Sequence, residues 1–463
     1  MNRVTLNIED FFEIPTAEIF NPDEIRPVRN VTIDSRKVKK GSLFIAIKGK
    51  KFDGHSFVRS AAQKGASVLL INRNRIIEFD DIGLPIITVK NTTRALGEVA
   101  KLWRKKLNMK IIGLTGSSGK TSTKEMLATL LSEKYKVNKT ENNNNNHIGV
   151  PLTVLAANEK HDVLVAEIGT NHFGEVKYSA IILRPDLALI TNIGDSHLEY
   201  LKNRKGVLKE KIALFDETQN NNGKIFINCD DPLLKNLHNK FNRCSTYGFK
   251  NNVKVKGKIL NYTNDGKPVI EIRYKNIKMI NTLPLYGKQS ANNYLSATSI
   301  ALGLGLTKEQ IKKGTGKIKS TDGRLNVKER NNFLLIDDTY NASPDSTKAA
   351  IELVARIKTY ERKVLILGDM LELGKEKIKL HCGLSSIIMK SSINELYTIG
   401  TGMKALHEKL FNKKIIVKHF RIRKSLQKFI SNYNPQNTVI LVKGSRGMRM
   451  EEFADLILLK ARN

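Results

Sequence analysis

Cysteine is scarce in this chain. Cys229, Cys244 and Cys382 are the only three in 463 residues. An odd number at wide spacing makes neither a disulfide framework nor a metal-binding pattern, and suits a reducing compartment. Aromatic residues amount to 6%, with a single Trp, and none interleave with basic runs as in a nucleic-acid stacking platform. No segment approaches the roughly 20 apolar residues of a membrane span. The opening stretch MNRVTLNIEDFFEIP carries charges where a secretory signal would have an apolar core. A cytoplasmic protein without membrane insertion is therefore expected. Acidic residues are also few, 45 against 78 basic ones, for a net charge of +33. Such a balance often marks a nucleic-acid partner. Here the lysines are spread along the whole chain, so no nucleic acid is expected, and the positive potential serves to attract small anions such as nucleotides.

The length suits about three domains, and the pattern is α/β throughout. Residues 1–108 alternate short strands (VTIDSRKV, SLFIAIKG, SVLLINR) with the helix-like SFVRSAAQKGA and close on the amphipathic RALGEVAKLWRKKL. Residues 109–316 open on the strand MKIIGLTG and continue through DVLVAEIG, LALITNIG and KIFIN to a helix over 291–304. Apolar runs of strand length that end in Gly suit a buried parallel sheet. GTGKIKSTDGR, which lacks a periodic apolar face, reads as a linker. Residues 317–463 then alternate NFLLIDD, a helix after Pro344, KVLILGDM, a helix over 379–390, ELYTIG and TVILVKGS. This pattern predicts a doubly wound, Rossmann-like sheet.

Thr115, Gly116, Ser117, Ser118, Gly119, Lys120 and Thr121 lie between a strand and a helix-like segment. That is the setting of a phosphate loop. Glycines turn backbone N–H groups toward phosphates, the helix N-terminus favours anions, Lys120 reaches the terminal phosphates and the Thr121 hydroxyl holds Mg²⁺. ATP is the expected nucleotide. Leu114 stands where the full pattern has its first Gly, so the match is to the shorter core. Glu167 ends DVLVAE, and a carboxylate at that sheet edge can complete a Mg²⁺ shell. His197 leaves the strand LALITNIG at its carboxyl end and is a candidate metal ligand or catalytic group.

TGSSGKTSTKEM, NNNNNHIGVPLTVL, AEIGTNHFGEV, TNIGDSHLEYL, IDDTYNASPDS, LGDMLELG and VKGSRGMRM occur in this order. Together they resemble the signature of the Mur ligase family over nearly the whole chain. The resemblance implies an N-terminal UDP-substrate domain, a central ATP-binding domain and a Rossmann-like C-terminal domain. It implies an ATP- and Mg²⁺-dependent ligase joining D-alanyl-D-alanine to a UDP-N-acetylmuramoyl tripeptide; a monomer is expected, although nothing in the sequence itself speaks to oligomeric state. By the same resemblance Asp34, Ser35 and Arg36, with residues 49–55, look like the uridine-nucleotide site, a salt-bridged strand end being the alternative. Asn293 looks like an adenine contact. Arg324 and Asp338 resemble nucleotide-contacting residues. Asn341 falls near the reaction centre, and Arg446 at a strand exit could pair with a carboxylate, unless that turn is purely structural. In GVLKEKIALF, Lys211 falls at the family's carbamylated lysine, a catalytic residue and Mg²⁺ ligand. Helical spacing puts Lys211 with Leu214 and Phe215 on the packed face and leaves Lys209 to solvent. The sequence departs from the family at Gln289 and Ser290, where the family has His-Asn, and at Ala213, where close relatives carry a carboxylate.

No Ser-His-Asp or Cys-His pattern appears, and none is required. Phosphoryl transfer from ATP to a carboxylate gives an acyl phosphate that an amine then attacks, with Lys120 neutralising charge. The alternatives are another ligase of the same family, a folylpolyglutamate synthetase, or a basic nucleotide-dependent binding protein.

Overall fold

The computed structural model describes residues 4–49, 51–250, 252–330 and 332–460. Lys50, within the 49–55 segment, lies outside them. Three α/β domains follow one another, built on sheets of five, nine and six strands. In the first sheet Asn30–Thr32, Ser42–Ile45, Ala66–Asn72 and Ile86–Val89 run parallel, and Glu18–Phe20 closes the far edge antiparallel. The strand predicted over VTIDSRKV is shorter than its apolar pattern, because Asp34 caps a 3₁₀ turn, Ser35–Lys37, that ends it.

The second sheet places Lys110–Thr115 between Val163–Glu167 and Leu187–Ile190. The chain leaves Lys110–Thr115 toward one side of the sheet and later returns to pair on its other side. Its carboxyl end is therefore a point where connections diverge, which is where open α/β sheets hold ligands. Beyond Lys224–Asn228 and Cys244–Gly248 the sheet continues into a meander, Val255–Tyr262, Pro268–Tyr274 and Ile277–Thr282. The third sheet runs Asn326–Arg330, Phe333–Asp338, Thr438–Lys443, Arg362–Gly368, Glu395–Ile399, Ile416–Phe420, parallel but for the first.

Two expectations need correction. The supposed linker begins inside a helix, Lys308–Gly316, capped by Thr307 with Gln310 answering in a capping box. The helix expected over 379–390 is two short ones, Lys377–Cys382 and Ser385–Lys390, separated at Gly383.

One apolar core runs without a break from Val4 and Leu6 of the first domain through Trp103 to Ile190 and Phe215 of the second. Trp103 is fully buried there and donates its indole N–H to the Ala157 carbonyl at 2.9 Å. The third domain has cores of its own on the two faces of its sheet.

Candidate functional site

The helix Lys120–Leu131 starts directly after Gly119, whose φ of +76° is left-handed. A side chain on Gly119 would stand 2.3 Å from Asn293 Oδ1, so only glycine lets the loop pass this helix, Gly287–Gly303. Gln289 donates to the same Asn293 oxygen at 3.1 Å. The departure from the family pattern at 289 thus keeps a polar contact beside the loop. The rest of the loop is held by the neighbouring strand exit. Ser117 N–H donates to the Asn192 carbonyl (3.0 Å), and Ser118 N–H to Asn192 Oδ1 (3.1 Å). Thr191 Oγ1 donates to the Ser118 carbonyl (2.6 Å). Thr115 Oγ1 donates to the Ile168 carbonyl (2.8 Å).

Lys120 Nζ donates to the Gly116 carbonyl at 2.8 Å. Burial depresses its pKa, nearby Glu167 works against that, and Arg324 adds to it. Thr121 Oγ1 donates to Glu167 Oε2 at 2.8 Å, and Asn145 Nδ2 donates to Oε1 at 2.9 Å. Glu167 is 1% exposed. Among the described residues no three His, Cys, Asp or Glu side chains gather as a metal cluster. The converging Thr121 hydroxyl and Glu167 carboxylate are nevertheless hard oxygen donors of the kind Mg²⁺ takes, with phosphate and water completing its shell. Those two residues fit the ion. Lys211 lies on Arg204–Asn220 and is 1% exposed, whereas Lys209 is exposed. Burial, with Lys120 close enough to oppose its charge, pushes Lys211 well below the usual lysine range. An ordinary surface lysine is therefore ruled out at this position.

The third domain closes the other side of a cleft of about 760 Å³. It brings Arg324, Asp338, Tyr340, Asn341, Lys443 and Arg446 to face the phosphate loop, Asn293 and His197. Arg324 lies over the Tyr340 ring at 3.9 Å, and Tyr340 donates its hydroxyl to Asn143 across the domain boundary. Asp338 accepts from Lys443 Nζ and from the Leu325 N–H. Burial raises its pKa more than Lys443 lowers it. Lys443 also donates to the Asn341 carbonyl at 2.9 Å. The helix Pro344–Arg356, capped by Ser343, brings its N-terminus to the cleft.

His197 does not stand free. Its Nδ1 lies 2.6 Å from Glu372 Oε2, and the Glu372 carbonyl accepts from the Glu199 N–H. Arg204 pairs with Asp195 of its own domain at 2.7 Å and with Asp345 of the third at 3.4 Å. Asn145, Arg204, Asp345 and Glu372 escape sequence reasoning as site residues. Asn145 is hidden in the asparagine run, and the cross-domain partners of Arg204 and Glu372 lie more than a hundred residues away.

Three family models cover the chain in order: "Mur ligase family, catalytic domain" over residues 27–104, "Mur ligase middle domain" over 114–301, and "Mur ligase, glutamate ligase domain" over 323–446. The UDP-N-acetylmuramoyl-tripeptide–D-alanyl-D-alanine ligase of Bacillus subtilis is 34% identical over 455 residues, 97% of this chain and 98% of that protein. The chain belongs to the Mur ligase family. The Escherichia coli ligase of the same name is 33% identical over 91% of this Mur ligase and 92% of its own length. A crystal structure of MurF from Acinetobacter baumannii superposes with a TM-score of 0.88 at 28% identity, over 99% of this chain and 100% of that one. MurF from Thermotoga maritima, crystallised in complex with ADP, superposes with a TM-score of 0.83 at 27% identity, covering 94% and 98%.

The remaining predicted positions of this Mur ligase lie outside the cleft. Asp34 and Arg36 form a bidentate ion pair, Arg36 Nε and Nη2 donating to the carboxylate at 2.9 Å each. This is the salt-bridged arrangement the sequence leaves open. It holds Asp34 at a pKa of about 2. Ser35 starts the 3₁₀ turn between them. His55 is buried, with its Nδ1 2.7 Å from Asp53 and its Nε2 accepting from the Asn72 N–H, so it fastens its own loop.

Proposed function

We propose that this Mur ligase joins D-alanyl-D-alanine to UDP-N-acetylmuramoyl tripeptide at the expense of ATP, with Mg²⁺, as a cytoplasmic monomer. The observation that carries the reading is one cleft in which a phosphate loop of the second domain faces Arg324, Asp338 and Asn341 of the third. Full-length relatives that bear this activity in their names support it.

The domains divide at 1–108, 109–316 and 317–463. Asp34, Ser35 and Arg36 of the first bind the uridine nucleotide. Thr115 to Thr121 cradle the phosphates of ATP, Asn293 meets the adenine, and Arg324 and Asp338 position the nucleotide from the opposite wall. Thr121 and Glu167, with Lys211 as its carbamate and with His197, would hold Mg²⁺, which would supply charge neutralisation. Lys211 is suited to that modification because burial, with the charge of Lys120, disfavours its ammonium form. Its nitrogen bonds to CO₂ and loses a proton, leaving an anionic oxygen donor.

In the first step a carboxylate oxygen of the tripeptide bonds to the γ-phosphorus as the bond to ADP breaks. Lys120, at the loop, offsets the charge of two anions brought together. In the second, the dipeptide amine attacks the acyl carbon, the C–N bond forms, phosphate departs with the C–O bond electrons and the amine loses a proton. Asn341 lies at the mouth of the capped helix and positions the reacting groups, while Arg446 receives the dipeptide carboxylate. The test is phosphate release, with the product read by mass spectrometry. Release that needs ATP, the UDP-muramoyl tripeptide and D-alanyl-D-alanine, and yields the pentapeptide, is expected. Addition of a single amino acid in place of the dipeptide would overturn the assignment.

A further inference from the structure

From Lys409 to Met450 the chain contains no Asp or Glu and eleven Lys or Arg. Its net positive charge per residue is several times that of an already basic protein. Most of the segment's first half forms one border of the third domain. It runs from the end of the helix Thr401–Leu410 through residues 411–415 into the strand Ile416–Phe420, and then into the helix Arg423–Asn432. That strand is the last of its sheet, paired only with Glu395–Ile399. It lies three strands from Thr438–Lys443, whose carboxyl end faces the cleft.

The border is apolar as well as basic. Phe411, Ile416 and Ile422 are 60%, 63% and 61% exposed. Lys413 and Lys414 stand between the first two, and Arg421 and Lys424 flank the third, all exposed. Among the described residues none of these four cations has an ion-pair partner, and the nearest acid in sequence, Glu408, lies 3.6 Å from Lys404. A border that only needed solubility or protection against strand pairing would carry lysines alone. Large apolar side chains set among unpaired cations are instead the composition of a surface that lies on anionic lipid. The cations meet the headgroups and the apolar tips reach the acyl boundary. A single-stranded nucleic-acid surface stacks bases on several exposed aromatic rings, and Phe411 is alone here.

We propose that this border of the C-terminal domain docks reversibly on an anionic lipid bilayer, with Phe411, Ile416 and Ile422 entering the interface and the cleft left open to solution. The full-length protein should co-sediment with phosphatidylglycerol-containing vesicles at physiological salt and not with phosphatidylcholine vesicles. Lys413→Glu with Lys414→Glu should weaken partitioning at least tenfold. Lys308→Glu with Lys312→Glu, an equal charge change on the exposed face of Lys308–Gly316, should leave it nearly unchanged. Because the native Trp103 is buried, Phe411→Trp places a reporter at the border, and its emission should shift to the blue with anionic vesicles alone. Both charge pairs should keep the wild-type Tm and the ligase rate on soluble substrates. Three results would each overturn the proposal. They are equal loss from the two charge pairs, an unshifted emission from the Phe411→Trp variant, and vesicle binding that the border pair leaves intact while it weakens binding to single-stranded RNA.

Discussion

Buried Lys211 lies near Lys120, which is half-buried at the cleft wall. Burial lowers the proton affinity of both, and the charge of Lys120 lowers that of Lys211 further. Two consequences can be measured. Lys120→Ala should cut turnover by roughly two to three orders of magnitude, the usual loss when a preorganised charge partner is removed, with the melting temperature nearly unchanged. Near-full activity would refute the phosphate-loop role. Lys211→Ala should lose most activity and regain part of it with formate, whereas Lys209→Ala should behave as wild type, since Lys209 lies at the surface beside Phe173. A Lys211→Ala enzyme fully active in CO₂-depleted buffer would exclude the carbamate. Asp34 offers a pH test. Its folded pKa of about 2 lies below the ordinary value of 3.8. Its pairing with Arg36 therefore stabilises the fold above pH 3.8, and that contribution is lost as pH falls through about 2. The contribution is small because the pair is open to solvent. The Asp34 carboxyl resonance should titrate near 2 in the wild type and move toward 3.8 in Arg36→Ala. An unmoved midpoint would show that the guanidinium is not its cause.

At the scale of elements, the strand–loop–helix unit depends on Gly119, where the backbone is left-handed and Asn293 leaves no room for a side chain. Gly119→Ala should weaken nucleotide binding at least tenfold by calorimetry while the circular dichroism of the fold persists. Unchanged affinity would mean that the contact with Asn293 does not shape the loop. The units that carry this site are legible in the sequence because each announces itself locally. Apolar runs such as DVLVAE end on a charged residue at the sheet's rim, and the glycines mark the loop. The meander from Val255 to Thr282 is not legible in this way. Its first and last strands, VKGKILNY and IKMINT, are half exposed and carry lysine and asparagine, so their alternation shows little apolar contrast. The edge strand Ile416–Phe420 escapes for the same reason. The linker reading misplaces only its start, residues 314–316, because capping by Thr307 and Gln310 sustains a helix through glycines that local propensity disfavours; 317–324 then lead to the strand Asn326–Arg330. Contacts such as Arg204 with Asp345 or His197 with Glu372 join segments 141 and 175 residues apart. Only the packing of one domain on another creates them, and no local pattern could show them.

At the scale of the molecule, those same contacts clasp the third domain onto the second. Arg204 is held charged chiefly by its hydrogen bonds to Asp195, with Asp345 adding to it. Arg204→Ala should loosen the clasp, enlarge the radius of gyration in small-angle scattering without substrates, and raise KM more than it lowers kcat. Scattering identical to wild type would mean that closure does not depend on this pair. The unbroken apolar core that joins the first domain to the second, against the separate cores of the third, has a thermodynamic counterpart. Residues that share a core lose it together, so the first two domains constitute one cooperative unit despite their two sheets, and the third constitutes another. Heating should therefore give two calorimetric transitions rather than three. ATP, if it bridges the phosphate loop and Arg324 as proposed, should draw the two transitions together, whereas a mutation at Trp103 should shift the melting of the first two domains alone.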